Sequence, residues 1–148
     1  MNKKENRALI ERLRPHFVFN TINNICYMLK KDSSKAEKML YDLALYMRCK
    51  ISALTEEKPS PFATELKCTN AYIRLEQISL RHLTLEQKIA NPPESLNPGA
   101  MLEAAERLIK EQVRSTKEPR TLVITDQSGK VEKGIVIMVK ETDVWIPL

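Results

Sequence analysis

Apolar residues recur at helical spacing through the first half of this chain and give way to β-branched runs near its end. Wound at ~100° per residue, Leu9, Ile10, Leu13, Phe17 and Met28 share one face, which Val18, Ile22, Ile25 and Leu29 widen. The pattern predicts one helix from residue 3 or 4 to residue 29. Pro15 lies inside it, so the carbonyl of Glu11 is expected to lose its partner and the helix to bend there. Lys30, Lys31, Asp32, Ser33 and Ser34 supply a basic helix end followed by capping residues. A second helix over residues 34–54 carries Ala36, Met39, Leu40, Leu43, Leu45, Tyr46, Met47 and Ile51 on a broad stripe. Two long helices around a short polar turn predict an antiparallel helical hairpin. One hairpin cannot bury both stripes, so a homodimer forming a four-helix bundle is expected.

Pro59, Ser60 and Pro61 break this pattern and mark a hinge, dividing the chain into parts 1–58 and 59–148. A third helix opens at Phe62 and continues through Cys68, Ala71, Tyr72, Leu75, Ile78 and Leu80. Residues 83–89 alternate as a strand would, and two Pro-containing loops lead to a fourth helix over 99–113. Residues 121–126 and 134–140 read as two strands joined by a turn at 127–130. The fold class is therefore α+β, a long helical hairpin followed by a small α/β sandwich lobe with helices on one face of an antiparallel sheet.

Composition narrows the function classes. Twenty-four Lys and Arg against 19 Asp and Glu leave a net charge of +5, spread along the chain as a solvated surface and not as a nucleic-acid footprint. Cys26, Cys49 and Cys68 are odd in number, widely spaced and without a Cys-x-x-Cys pair. That argues against a disulfide framework or a zinc site and suits a reducing cytosol. No apolar run is long enough to span a bilayer, and no signal-peptide pattern follows Met1. A cytoplasmic location is expected, in a free protein or in a cytoplasmic part of a membrane sensor. His16 and His82 are the only histidines and have no cluster of metal-ligand spacing around them, so no metal is expected. His82, beside Arg81, reads as a surface residue.

On the first helix Arg12, His16, Phe19 and Asn23 fall together opposite the apolar stripe, with Pro15 directly before the imidazole. Spacing alone equally describes an ordinary surface histidine. The wording of the segment says more: Pro15-His16-Phe17-Val18-Phe19-Asn20-Thr21-Ile22-Asn23 closely resembles the Pro-His-Phe-Leu-Phe-Asn-x-Leu-Asn signature of the LytS-like sensor histidine kinases. The resemblance implies that His16 is a phosphoacceptor, with Asn20 one turn along, on a dimer of helical hairpins. Leu43-Ala44-Leu45-Tyr46-Met47-Arg48 resembles the family's Leu-Ser-x-Leu-Leu-Arg stretch, which makes Arg48 a candidate partner for phosphate. Glu65-Leu66 and Tyr72-Ile73-Arg74-Leu75-Glu76 look like its Glu-Leu…Tyr-Leu-x-Ile-Glu segment, although the Arg-Phe that follows there is Ser79-Leu80 here.

In that family the second lobe binds ATP, and here the resemblance thins. Residues 105–113 line up with Val-Glu-Asn-Ala-Ile-Lys-His-Gly-Ile through Glu106, Ile109 and Lys110. The magnesium-binding asparagine is Arg107, and the His-Gly pair is Glu111-Gln112. Magnesium takes oxygen ligands, whereas a guanidinium offers only donors. Val139-Lys140-Glu141-Thr142-Asp143-Val144-Trp145 stands where the family has Val-x-Asp-Asn-Gly-x-Gly, so Glu141 replaces the aspartate and neither glycine is present. The sequence ends at Leu148 without a lid or second Gly-rich box, and its three glycines leave little backbone for close phosphate approach. The lobe is expected to be an incomplete, degenerate ATPase-like one, with no nucleotide cofactor. Two functions follow. In the first, His16 takes a phosphoryl group from a response regulator or a separate sensor kinase and relays it, with Arg12, Arg14 and Arg48 available to offset phosphate charge. In the second, the chain is a non-catalytic pseudokinase adaptor that dimerises and docks a kinase or a regulator. The intact histidine motif favours the first.

Overall fold

The computed structural model describes residues 2–126 and 134–148. Among these the chain is α+β, with five α-helices and six strands in two sheets. Helix α1 (Lys3–Arg12) opens with a capping box, Asn2 accepting from the Glu5 N–H at 2.8 Å while the Glu5 carboxylate accepts from the Asn2 N–H at 3.2 Å. It then stops. The single helix expected over 3–29 is two, because α2 (Pro15–Lys31) starts afresh after a break at Leu13 and Arg14. Proline fits the first helical position, where its missing N–H costs nothing. It also disfavours helical backbone at the residue before it, and Arg14 sits in the left-handed region at φ 53°, ψ 66°. Nor is the Glu11 carbonyl left alone, since the Arg14 N–H donates to it at 3.0 Å. No residue of α1 is buried, so Leu9 and Ile10 add nothing to the core, and Arg12 lies across the break from His16.

Asp32 ends α2 and caps α3 (Ser33–Thr55), accepting from the Lys35 N–H at 3.1 Å. Val18, Thr21 and Ile25 of α2 and Ala36, Met39, Leu43 and Tyr46 of α3 are buried. Ile22, Leu29, Leu40 and Ile51, expected on the same stripes, are exposed. Helix α4 (Phe62–Ser79) packs on α3 and buries Cys68, Ala71, Tyr72, Ile73 and Leu75. This packing overturns the reading of the cysteines. Cys49 of α3 and Cys68 of α4 form a disulfide across a Cα separation of 6.1 Å, while Cys26 is free and exposed. Spacing could not show it, because helix packing and not sequence distance brings the two Cβ atoms together.

The main sheet runs β2 (Leu83–Lys88), β4 (Arg120–Thr125), β5 (Gly134–Val139), β6 (Thr142–Pro147), and a short antiparallel pair joins β1 (Ser60–Pro61) to β3 (Ser95–Leu96). The expected antiparallel sheet is mixed: β2 and β4 are parallel because the chain crosses between them through α5 (Ala100–Leu108) and a π-helical turn, Ile109–Val113. Strand β6 was not foreseen. It pairs with β5 around a tight turn at Lys140 and Glu141, with Lys140 at φ 54°. The turn expected at 127–130 lies outside the described residues. Leu122, Ile124, Ile135, Ile137 and Val139 of the sheet and Met101, Leu102, Ala105 and Leu108 of α5 belong to one hydrophobic core with α2–α4.

Two details tie the layers. Gly99 begins α5 at φ 80°, and a Cβ there would lie 2.6 Å from the Ala53 Cβ of α3. His82 is half-buried, not a free surface residue, with Nε2 2.9 Å from the Val113 carbonyl at the end of the π turn. Among the described residues no helix is long and apolar enough to cross a membrane. The Cys49–Cys68 bridge closes a chain separation of 19 residues, for which loop entropy predicts about 3 kcal/mol of stability. Urea unfolding with and without dithiothreitol should differ by about that amount, and coincident curves would refute the bridge.

Candidate functional site

Glu106 lies on the inward side of α5, 8% exposed. A carboxylate so placed must be paired. Its Oε2 accepts from Arg14 Nη1 at 2.7 Å and from the Tyr46 hydroxyl at 3.0 Å, and its Oε1 accepts from Lys50 Nζ at 2.7 Å. Tyr46 and Lys50 are four residues apart on α3, so one helix face supplies both. A second buried carboxylate, Glu76 of α4, accepts from the Tyr72 hydroxyl at 2.6 Å and from the Arg114 guanidinium. Arg14 joins the two groups by donating also to the Tyr72 oxygen at 3.2 Å.

Rings complete the packing. Phe17 meets Tyr46 and Tyr72 edge-on at 5.1 and 5.3 Å, the tyrosines stack at 5.5 Å, and the Arg14 guanidinium lies 5.0 Å from the Phe17 ring centre. Burial, reinforced by Glu106, pushes the Tyr46 hydroxyl well above its ordinary range, and burial with Glu76 does the same to Tyr72. Burial works against the charge of Arg14, but Tyr72 and Glu106 outweigh it and hold that guanidinium more firmly protonated than usual. Left-handed backbone at a non-glycine costs about 1–2 kcal/mol, and these contacts offset it.

Directly after this anchor stands His16, exposed on the first turn of α2, with Asn20 exposed one turn further. Both line a cavity of about 550 Å³ whose inner wall includes Arg14, Glu76, Ser79 and Arg114. An imidazole at such a rim can take an electrophilic phosphoryl group, and of the guanidinium groups beside it Arg14 is paired with Glu106 and Arg114 with Glu76. Of the arginines expected to serve phosphate, only Arg14 is here. Arg48 lines a different cavity, of about 350 Å³, beside Cys49 and Cys68. Sequence reasoning missed Arg114 and the anchoring role of Glu106. The available signal was the pair of acidic residues, Glu76 and Glu106, on otherwise inward-facing positions of apolar helices.

The positions that the resemblance assigns to nucleotide look different. Arg107 and Lys110 are exposed on α5 and the π turn, and Glu141 is exposed in the β5–β6 turn. Among the described residues no group of three or more His, Cys, Asp and Glu could hold a metal ion.

Residues 4–83 match the histidine kinase family. Sensor protein LytS of Enterococcus faecalis is 32% identical over 121 residues, which cover 80% of this chain and 20% of that protein. LytS of Bacillus subtilis is 37% identical over 73 residues, 49% of this chain and 12% of that protein. Sensor histidine kinase BtsS of Escherichia coli is 29% identical over 97 residues, 64% and 16% respectively. The chain spans about a fifth or less of the length of these relatives.

The buried tyrosines make stability pH-dependent on the alkaline side. Unfolded, each loses its proton near pH 10, whereas the folded chain keeps both. The native state therefore binds more protons above pH 10, and stability falls there by about 1.4 kcal/mol per pH unit for each tyrosine. Below pH 10 they contribute no slope. Urea midpoints measured from pH 8 to 11.5 should bend downward above pH 10, and Tyr46→Phe should make the fall shallower; a wild-type curve with no bend contradicts the buried cluster.

Proposed function

The chain belongs to the histidine kinase family, and from that membership we propose that it serves two-component signal transduction, His16 accepting or relaying a phosphoryl group without ATP binding of its own. One contrast carries the reading. His16 stands open at a cavity lined also by Arg14 and Arg114, while Arg107 and the Lys140–Glu141 turn stand where the resemblance assigns nucleotide contacts. Residues 1–58 act as the dimerisation and phosphoacceptor hairpin, and residues 59–148 as a degenerate ATPase-like lobe. Exposed Ile22, Leu29, Leu40 and Ile51 support a homodimer that closes a four-helix bundle. The partners are a response regulator or a sensor kinase, and the setting is cytoplasmic.

In the relay a lone pair on a His16 ring nitrogen attacks the phosphorus of a regulator's aspartyl phosphate. The P–N bond forms as the P–O bond to the aspartate breaks, and the carboxylate leaves with that electron pair. The acyl phosphate supplies the driving force, so the chain contributes orientation and positive charge. Asn20 lies on the same cavity wall to hold the donor. Phe19, 64% exposed on the helix that carries His16, favours the pseudokinase adaptor as a second reading, as an aromatic anchor for a docked kinase or regulator.

Incubation with a phosphorylated response regulator should give an acid-labile phosphohistidine on the wild-type chain, and labelled ATP alone should give none. Mg-ATP should leave the melting temperature unchanged, since a ligand of the native state would raise it. His16→Gln should abolish acceptance while changing stability by no more than about 0.5 kcal/mol, as befits an exposed position. Labelling by ATP, or acceptance by His16→Gln, overturns the relay. Acceptance from no donor leaves the adaptor, for which Phe19→Ala should weaken regulator binding. Light scattering should show a dimer at micromolar concentration, and a clean monomer removes the bundle.

A further inference from the structure

We propose that Arg14 is a positioning residue for His16: its clamp on Glu106 and Tyr72 holds the left-handed break ahead of Pro15, and that break sets the direction in which the first turn of α2 presents the imidazole. The consequence for phosphoryl transfer rests on the reading of His16 given above. Pro15 disfavours helical backbone at residue 14 but does not itself call for φ 53°, because extended and polyproline conformations remain open at lower cost. Something must select the left-handed state. The Arg14 side chain has partners on three elements, Glu106 of α5 at 2.7 Å, the Tyr72 hydroxyl of α4 at 3.2 Å and the Phe17 ring of α2 at 5.0 Å. Extended backbone at residue 14 would swing the guanidinium away from that set.

The anchors are themselves held. Tyr46 and Lys50 grip Glu106, and Glu76 grips Tyr72. On the other side, the Arg14 carbonyl accepts from the Val18 N–H at 3.1 Å, the first helical bond of α2. No side chain caps that helix, because a guanidinium has no acceptor for the helix's free N–H groups. Pro15, with φ fixed by its ring, is the single residue between this anchor and His16. The direction of the imidazole therefore follows from the Arg14 backbone. Both bonds leave the one nitrogen Nη1, so a lysine would keep the charge and a donor but lose the planar guanidinium that lies 5.0 Å from the Phe17 ring centre.

The test uses the full chain, with Arg14→Gly, Arg14→Lys and Glu106→Gln. Glycine accepts left-handed backbone and deletes the clamp, so it separates the two contributions. With a phosphorylated receiver domain as donor, Arg14→Gly should lower the maximal rate of His16 phosphorylation by about tenfold to a hundredfold, with half-saturation little changed. Arg14→Lys should recover part of that loss, and Glu106→Gln should fall between it and wild type. NMR of the His16 imidazole should show one ordered signal in wild type and a shifted or broadened one in Arg14→Gly and Glu106→Gln. Wild-type rate and an unchanged imidazole signal in Arg14→Gly would overturn the proposal; if that variant does not fold, the same result in Arg14→Lys and Glu106→Gln does so. A wild-type chain that accepts no phosphoryl group defeats the reading of His16 alone, and the imidazole signals then decide the positioning role.

Discussion

A carboxylate taken out of water must find its charges within the fold, and Glu106 finds Arg14, Lys50 and Tyr46. These come from the α1–α2 break and from α3, while Glu106 itself comes from α5. One buried oxygen pair thereby specifies how three separate stretches of chain meet. Removing it would leave Arg14 and Lys50 facing each other in a poorly solvated place, which costs more than the pair contributes. The ring cluster of Phe17, Tyr46 and Tyr72 surrounds this point, so the polar network is shielded while the aromatic core is kept in one arrangement.

That arrangement serves presentation more than catalysis by itself. The Glu106 oxygens are occupied by the histidine segment, through Arg14, and by α3, through Lys50. From α5, Glu106 steadies Arg14, the residue two places before His16. Arg114, beyond the π turn, extends the linkage to Glu76 at the cavity wall. The cavity thus sets an exposed histidine beside two arginines that are each held by a carboxylate.

The Cys49–Cys68 bridge joins α3 to α4 directly beside Lys50, spanning the linker that contains Pro59 and Pro61. With Gly99 pressed against Ala53, it draws the start of α5 close to α3 near the point where Lys50 reaches Glu106. Covalent, steric and ionic contacts therefore cooperate along one face of α3. Its opposite face keeps Leu40 and Ile51 exposed.

Local sequence determined a good deal. Helical periodicity located α3 and α4 within a residue or two of their observed ends, because an apolar stripe that long has few other ways to be buried. Alternation located β2 and β-branched runs located β4 and β5, while helical spacing turned the His16 imidazole outward and the words around it identified the family. What sequence could not decide was whatever depends on partners far along the chain. Pro15 announced a disturbance, but whether the helix bends or restarts depended on an arginine meeting a glutamate 92 residues away. The pairing of Cys49 with Cys68 required α3 to pack on α4, and the mixed sheet required the crossover through α5. Strand β6 starts with Thr142 and Asp143 and ends on Pro147, and it is a strand through its pairing with the edge of β5. Helix propensity and apolar spacing are properties of neighbours, whereas ion pairs, disulfides and strand order are properties of places, and only the tertiary structure assigns places.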